Sequence, residues 1–110
     1  MDIKKVERNG KIAVLVSPGF GAGWSTFNDD EIAKVLLYHP EIVRLVKENR
    51  RDEITEKYCQ KLIGTDKHIY TGGAEQLEIK WIDKGTSFEI TDYDGFESIH
   101  IIGEREYNVA

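Results

Sequence analysis

The spacing of apolar residues changes twice along the chain and divides it into three parts. A continuous apolar run at 12–16 predicts a strand that is buried on both faces and therefore central in a sheet. Asn9-Gly10 just before it favours a type I′ turn, so the first part is predicted to be a hairpin. Helical spacing follows in 29–64, and alternation of apolar and polar residues in 77–102 predicts strands.

The middle part is predicted to hold two or three helices. Asn28 followed by Glu31 fits a capping box, which indicates the start of the first helix. Pro40 interrupts that helix, because the residue before a proline avoids the α region, and it suits the first position of a second helix. A third helix is predicted to begin at Asp52 and to stop at Gly64. A merged second and third helix is the alternative.

The last third is predicted to be a meander of three antiparallel strands. Its turns fall at 83–86 and at Asp94-Gly95, where glycine suits a positive φ. The order of elements predicts one α+β domain over 1–110. We expect an antiparallel sheet of about four to five strands, with two or three helices inserted between the first strand and the C-terminal meander. A meander leaves an edge strand, which can pair with a second copy to form a homo-oligomer.

Composition limits the classes of protein to which the chain can belong. The 110 residues carry 20 acidic and 15 basic side chains, a net charge of −5, which argues against sequence-independent nucleic-acid binding. No apolar run approaches the roughly 20 residues of a membrane span. Cys59 is the single cysteine, which excludes an intrachain disulfide and a cysteine-based zinc site. A cytoplasmic protein that contacts neither nucleic acid nor membrane is expected.

The loop at 17–28 is the strongest candidate site, because it combines glycines with aromatic residues directly after the buried strand. Its glycines permit close approach of another group, and a run of backbone N–H groups can bind an anion. Phe20 and Trp24 would stack on a base. The alternative is that the aromatic rings fill the core. The ligand-binding residues predicted in this loop are Ser17, Gly19, Phe20, Gly21, Gly23, Trp24, Ser25 and Asn28.

Named phosphate motifs do not account for this loop. A P-loop needs a lysine after its second glycine, and no lysine occurs between Ile12 and Lys34. The dinucleotide fingerprint Gly-x-Gly-x-x-Gly fails at its third glycine, where Trp24 stands.

A second glycine signal, Gly72-Gly73, marks a turn before the meander. If it lies at the same end of the sheet as the first loop, Tyr70 and Thr71 would add a ring and a hydroxyl to one pocket. A plain connection between helix and strand is the alternative.

Metal binding and catalysis find little support in the sequence. Asp92 and Asp94 lack the upstream aspartate of a calcium loop, so turn formation is the better account, and a metal-assisted hydrolase using them is a third hypothesis. Cys59 lies mid-helix in a packing position. The three histidines, His39, His68 and His100, lack ligand spacing. Four glutamates are predicted to be solubilising charges, namely Glu75, Glu78, Glu89 and Glu97. No enzyme, cofactor or metal is expected.

At 16–28 the chain resembles a family of small uncharacterised proteins encoded by bacteriophages and their hosts, which carry a similar strand followed by a Gly-Ala-Gly-Trp-Ser loop. The segments 70–73, 77–81 and 92–99 also resemble that family, so the resemblance spans most of the chain. It implies a context: small phage accessory proteins often counter host defence, by sequestering nucleotide signals or by blocking a defence protein. The compartment would then be the host cytoplasm.

Two functional hypotheses follow. The first is a non-catalytic phage-type protein that binds a small, nucleotide-like molecule through the 17–28 loop and sequesters a host defence signal. The second is an acidic protein-interaction module that inhibits a host protein, with Asp29, Asp30 and Glu31 among its contact charges.

Overall fold

A computed structural model describes residues 4–19, 21–102 and 108–109 of the chain. Strands and helices are numbered here in chain order. They are β1 (Glu7–Arg8), β2 (Lys11–Val16), α1 (Asp30–Tyr38), α2 (Pro40–Lys47), α3 (Glu56–Ile63), β3 (Glu78–Asp83), β4 (Ser87–Tyr93), β5 (Phe96–Ile102) and β6 (Asn108–Val109). Two short 3₁₀ turns, Arg51–Glu53 and Ala74–Gln76, lie before α3 and before β3.

The strands form two antiparallel sheets. Sheet A has the order β1-β2-β3, and sheet B has the order β5-β4-β6. The α+β class and the three separate helices are therefore confirmed. The meander is wrong in one respect, because β3 pairs with β2 along the whole of that strand and β4 begins a second sheet. A second sheet is needed because β2 is apolar on both faces, and a strand added beside it would cover neither face.

The two glycine hairpins are confirmed. Asn9 and Gly10 have φ of 53° and 76°, and Asp94 and Gly95 have φ of 49° and 85°. Positive φ at both central residues is the type I′ geometry, whose twist matches that of the flanking strands.

Side chains cap the helices at positions that differ in part from the predicted ones. Asp29, and not Asn28, caps α1 by accepting the N–H of Ile32. Thr55, and not Asp52, caps α3, because the sequence from 51 to 53 forms a 3₁₀ turn instead. Both caps place a side-chain oxygen on an otherwise unpaired N–H of the first turn.

The predicted beginning of α2 and end of α3 are confirmed. Pro40 is the first residue of α2, and the Nδ1 of His39 accepts the N–H of Glu41 at 3.2 Å. Gly64 ends α3 in the left-handed conformation, with φ of 80°.

The core has one part on each face of β2, which confirms that this strand is central. Ala13 and Leu15 face a cluster built mainly from the helices, and Ile12, Val14 and Val16 face sheet B. The helix-facing cluster also contains Trp24, Ile32, Leu36, Ile42, Val43, Leu45, Val46, Ile54, Cys59, Ile69, Ala74 and Leu77. The cluster facing sheet B is completed by Leu37, Tyr38 and Phe88.

Candidate functional site

A buried carboxylate lies at the centre of the 17–28 loop. Glu97, the second residue of β5, is 2% exposed. Its Oε1 accepts the N–H and the hydroxyl of Ser17 at 3.1 and 3.2 Å. Its Oε2 accepts the N–H and hydroxyl of Ser25 at 2.9 and 3.4 Å, and those of Thr26 at 2.9 Å each. Three backbone and three hydroxyl donors thus satisfy a group that is costly to bury alone.

The loop therefore binds an anion, but the anion is the protein's own side chain, and its N–H donors are Ser17, Ser25 and Thr26 instead of the predicted glycines. The interpretation of Ser17 and Ser25 as ligand-binding residues is corrected accordingly, because their donors are directed at Glu97. The glycine amides are also committed elsewhere. The N–H of Gly21 donates to the carbonyl of Asp94, and that of Gly23 donates to the carbonyl of Gly95 at 2.7 Å.

Trp24 belongs to the core. Its ring is fully buried in the helix-facing cluster, and its indole N–H donates to the carbonyl of Leu36 at 2.9 Å. The prediction that this ring stacks on a ligand is wrong, because a ring packed on all sides and fixed by its polar atom presents no free face. Phe20 lies outside the described residues.

The two glycine loops come together, which was the condition set for Tyr70 and Thr71 to join the first loop. The Tyr70 hydroxyl donates to the carbonyl of Gly21 at 2.6 Å. The Asn28 amide accepts the N–H of Tyr70 at 2.8 Å and donates to the carbonyls of Tyr70 and Trp24 at 3.0 and 2.7 Å. Asn28 therefore joins the loops instead of capping α1. Thr71 lies half-buried in the second loop.

Two glycines permit this close approach. A Cβ on Gly73 would lie 2.8 Å from the side chain of Ser17, and one on Gly19 would lie 2.2 Å from the side-chain oxygen of Gln76. Both distances are shorter than atoms tolerate, although the Gln76 side chain can move aside more readily than Ser17. Gly73 and Gly19 thus serve the contact between the loops rather than contact with a ligand.

An open cleft of about 290 Å³ lies beside the loop, between it, α1 and β4. Ser25 and Asn28 line it, as do Thr26, Lys34 and Glu89. Lys34 also lines a second cleft of about 430 Å³ together with Lys67, over an apolar floor that includes Val35 and Ile63. Lys34 is absent from the predicted site because it lies on a helix, six residues after Asn28, and not in the glycine loop.

The surface around this junction is aromatic and acidic. The side chains of Phe27, Tyr93 and Phe96 are 46%, 72% and 37% exposed. Tyr93 and Phe96 flank the β4–β5 turn, and Phe27 packs over Gly23, whose N–H binds that turn. This surface, called the hairpin end below, consists of Phe27, Tyr70, Tyr93 and Phe96 together with the exposed Asp92 and Asp94.

The prediction that Glu97 is a solubilising charge is wrong. A signal for its burial was present, because Glu97 lies two residues before Ile99 and thus on the same face of β5, which turns toward β2. The alternation of inward and outward side chains in β5 includes Glu97 among the inward ones, although its charge is typical of the solvent-exposed face.

The described residues contain no group of three or more His, Cys, Asp or Glu placed to hold a metal ion. Burial raises the pKa of the Cys59 thiol to about 12, so the unreactive thiol form prevails at neutral pH. No helix in the described ranges has the length and apolarity needed to cross a membrane.

Comparisons of the chain with protein-family models, with curated proteins and with solved structures find no match.

Proposed function

We propose that this chain is a non-catalytic, acidic interaction module that binds a basic protein surface through its hairpin end. The observation that carries the proposal is the exposure of three aromatic side chains in and next to the β4–β5 turn. Tyr93 and Phe96 flank the turn, and Phe27 packs over Gly23, which binds it. Aromatic residues are enriched where protein interfaces concentrate their binding energy.

The construction under this surface supports the proposal. The carboxylate of Glu97 ties β5 to Ser17, Ser25 and Thr26, and the 21–23 segment binds the β4–β5 turn through backbone hydrogen bonds. A surface fixed in this way loses little conformational freedom on binding, which favours affinity. The groups beneath it are satisfied within the chain, so they supply rigidity rather than catalysis.

Charge supports a basic partner. The net charge is −5, and Asp92 and Asp94 lie at the hairpin end itself. Asp30 and Glu31, at the exposed start of α1, follow shortly after Phe27. Opposite charge on a partner accelerates association and selects among partners. The resemblance to phage-encoded proteins makes a protein of the host cell, in its cytoplasm, the expected partner.

The proposal is tested by chemical cross-linking in expressing cells, followed by mass spectrometry of the captured chains. We expect one partner whose cross-links map to the hairpin end, and we expect Tyr93→Ala to reduce its recovery at least tenfold. Tyr93 is largely exposed, so its truncation leaves the fold intact.

Charge reversal provides the matched control. Reversing Asp30 and Glu31 to lysine is expected to abolish recovery, whereas reversing the exposed Asp52 and Asp66 adds the same charge elsewhere and should leave it unchanged. Asp29 is kept because it caps α1. If both pairs of substitutions lowered partner recovery equally, the effect would be one of net charge, and a defined contact surface would be contradicted.

A small anionic, nucleotide-like ligand is the second candidate, favoured by the 430 Å³ cleft that Lys34 and Lys67 line together with Glu31. The cleft beside the loop favours it less, because Asp30 and Glu89 line it with Lys34 and because the donors of Ser25 and Asn28 are used within the chain. A ligand sequestered in the cleft of Lys34 and Lys67 would make the chain a sink for a host signal. Calorimetry against a panel of nucleotides tests this candidate: Lys34→Glu should abolish the heat, and Lys57→Glu, on the exposed side of α3, should not. Absence of heat from every compound would exclude it.

A further inference from the structure

β5 is the one outermost strand of either sheet, among the described residues, that is both long and free of exposed carboxylates and lysines. β4 also has an edge, over 89–93, that is unpaired among the described strands, because β6 pairs only with Ser87 and Phe88, but that edge carries Glu89 and Asp92. Sheet A ends in β1, of two residues, and in β3, which carries Glu78, Lys80 and Asp83. Sheet B ends in the two-residue β6 and in β5, of seven residues. Short length and charge are the usual means by which an edge avoids pairing with another chain. β5 contains one carboxylate, that of Glu97, and this group is buried in the loop.

The pairing of β5 with β4 determines which backbone groups face outward. The two-residue turn makes Tyr93 and Phe96 the first hydrogen-bonded pair, so residues 96, 98 and 100 bond to β4 and residues 97, 99 and 101 face the outer edge. The N–H of Glu97 follows this rule, because it donates to the carbonyl of Ser17 at 3.0 Å. Further along, the outward N–H and C=O groups of Ile99 and Ile101 have no hydrogen-bond partner within the described ranges.

An apolar cleft and an exposed apolar side chain lie along this edge. The cleft, of about 520 Å³, runs between β5 and sheet A and is lined by Val16, Ile82 and Ile99 among others. Ile101, two residues beyond Ile99 on the same face of the strand, is 53% exposed. The cleft thus lies toward one end of the strand and the side chain toward the other.

We propose that β5 pairs antiparallel with β5 of a second copy of this chain, about a two-fold axis at His100. In this register Ile99 lies opposite Ile101 of the second copy, and the two pairs exchange four backbone hydrogen bonds. Each Ile101 then enters the cleft beside the other copy's Ile99. The two sheets B join into one continuous sheet.

The outer edge of β5 is complementary to itself, and we therefore infer that its binding partner is a second copy of this chain. A two-fold axis at His100 sets Ile99 and Ile101, the outward-facing residues of β5 that are unpaired within the described ranges, against each other. It also sets an exposed side chain against a cleft in both copies at once. Residues 98–102 carry no carboxylate, so this contact avoids the repulsion that a net charge of −5 imposes elsewhere.

The test is sedimentation equilibrium of the full chain over a concentration series, with Ile101→Lys and Thr91→Lys as the paired variants. Ile101 and Thr91 are both exposed on sheet B, but Thr91 lies on β4, away from the outer edge of β5 that pairs in this proposal. We expect the mass to rise with concentration to twice the 12.6 kDa of one chain, Ile101→Lys to hold it at one chain, and Thr91→Lys to leave the association unchanged.

Amide exchange gives a readout that needs no variant. Protection of the Ile99 and Ile101 amides should increase with concentration, at least tenfold between the monomeric and dimeric ranges. The Glu97 amide, bonded within the chain, should keep its rate. A chain that remains monomeric at every concentration, or a dimer that Ile101→Lys leaves intact with these amides unprotected, would overturn the proposal. Protection that appears only on adding a foreign peptide would also overturn it and would identify a different occupant.

Discussion

The two faces of β2 are covered by different means. On the helix side the contact is almost entirely apolar and includes the largest buried ring, that of Trp24. On the side of sheet B the apolar cluster is smaller, and at the end of the strand a polar junction around Glu97 takes over. Apolar burial has no preferred direction, whereas hydrogen bonds do. The helix layer thus supplies most of the driving force, and the junction determines where the β4–β5 hairpin lies.

Trp24→Ala should have the largest effect, because it opens a cavity on the helix side. We expect the free energy of unfolding to fall by about 3 to 5 kcal/mol in urea denaturation. The carbonyl of Leu36 would also lose its donor. Trp24→Phe, which keeps an aromatic ring, is the control. Its free energy of unfolding should lie between that of the unchanged protein and that of Trp24→Ala. A loss from Trp24→Ala below that from Trp24→Phe would contradict a packing role.

Glu97→Ala should weaken the contact between β2 and sheet B without weakening the contact between β2 and the helices. Three backbone N–H groups lose their acceptor, those of Ser17 and Ser25 buried and that of Thr26 partly buried. Each buried one costs about 1 to 3 kcal/mol, so we expect a loss of about 3 kcal/mol or more. Amide exchange should accelerate most in β4 and β5, whereas β2 and β3 keep their protection. Glu97→Gln retains one acceptor oxygen and should be intermediate.

Uniform loss of protection across both sheets after Glu97→Ala would contradict this division of roles. It would mean that the junction and the helix-facing cluster unfold as one unit.

A pair of glycines isolates the contact between the hairpin and the loop. Gly95 and Gly85 have almost the same φ, 85° and 87°, so alanine causes similar backbone strain at either position. A Cβ at Gly95 would also lie 2.9 Å from backbone atoms of Gly21 and Ala22, whereas Gly85 has open space. We expect Gly95→Ala to lower the free energy of unfolding by about 1 to 3 kcal/mol more than Gly85→Ala. Equal losses would show that the loop does not press on the turn.

Mild acid should weaken the helix side slightly. Burial lowers the pKa of His39 from its ordinary 6.5, against the nearby charge of Glu41, which raises it. The folded state therefore favours the neutral ring, which also accepts the N–H of Glu41. Its contribution is full above pH 6.5 and is lost as the pH falls through the lowered pKa. His39→Asn, which keeps a capping side chain without titrating, should flatten this part of the profile of stability against pH. An unchanged profile would assign the acid sensitivity to other groups.

Local chemistry was predicted well from the sequence. The two glycine hairpin turns, Pro40 at the start of α2 and Gly64 at the end of α3 depend on φ preferences of a few adjacent residues, and the structure confirms them. Both-sided burial of β2 was also predicted, because five consecutive apolar residues leave no polar face.

Long-range choices were predicted less well. The partner of β3 is a strand more than sixty residues earlier, and the apolar alternation of β3 suits either neighbour equally. For the loop residues, the ability to donate hydrogen bonds to an anion was predicted, but the group that accepts these bonds was not. A nest of N–H groups and hydroxyls was expected to hold a foreign anion, and it holds Glu97.

By itself the sequence determined the helices, the main strands, the start of α2, the end of α3 and the α+β class, because each follows from neighbouring residues. Only the tertiary structure decided that the β4–β5 hairpin crosses β2 as a second sheet, that Trp24 points inward and that Glu97 meets Ser17. Those contacts join residues up to eighty positions apart. Their energies depend on which surfaces pack together, and the conformational preferences of neighbouring residues do not determine this.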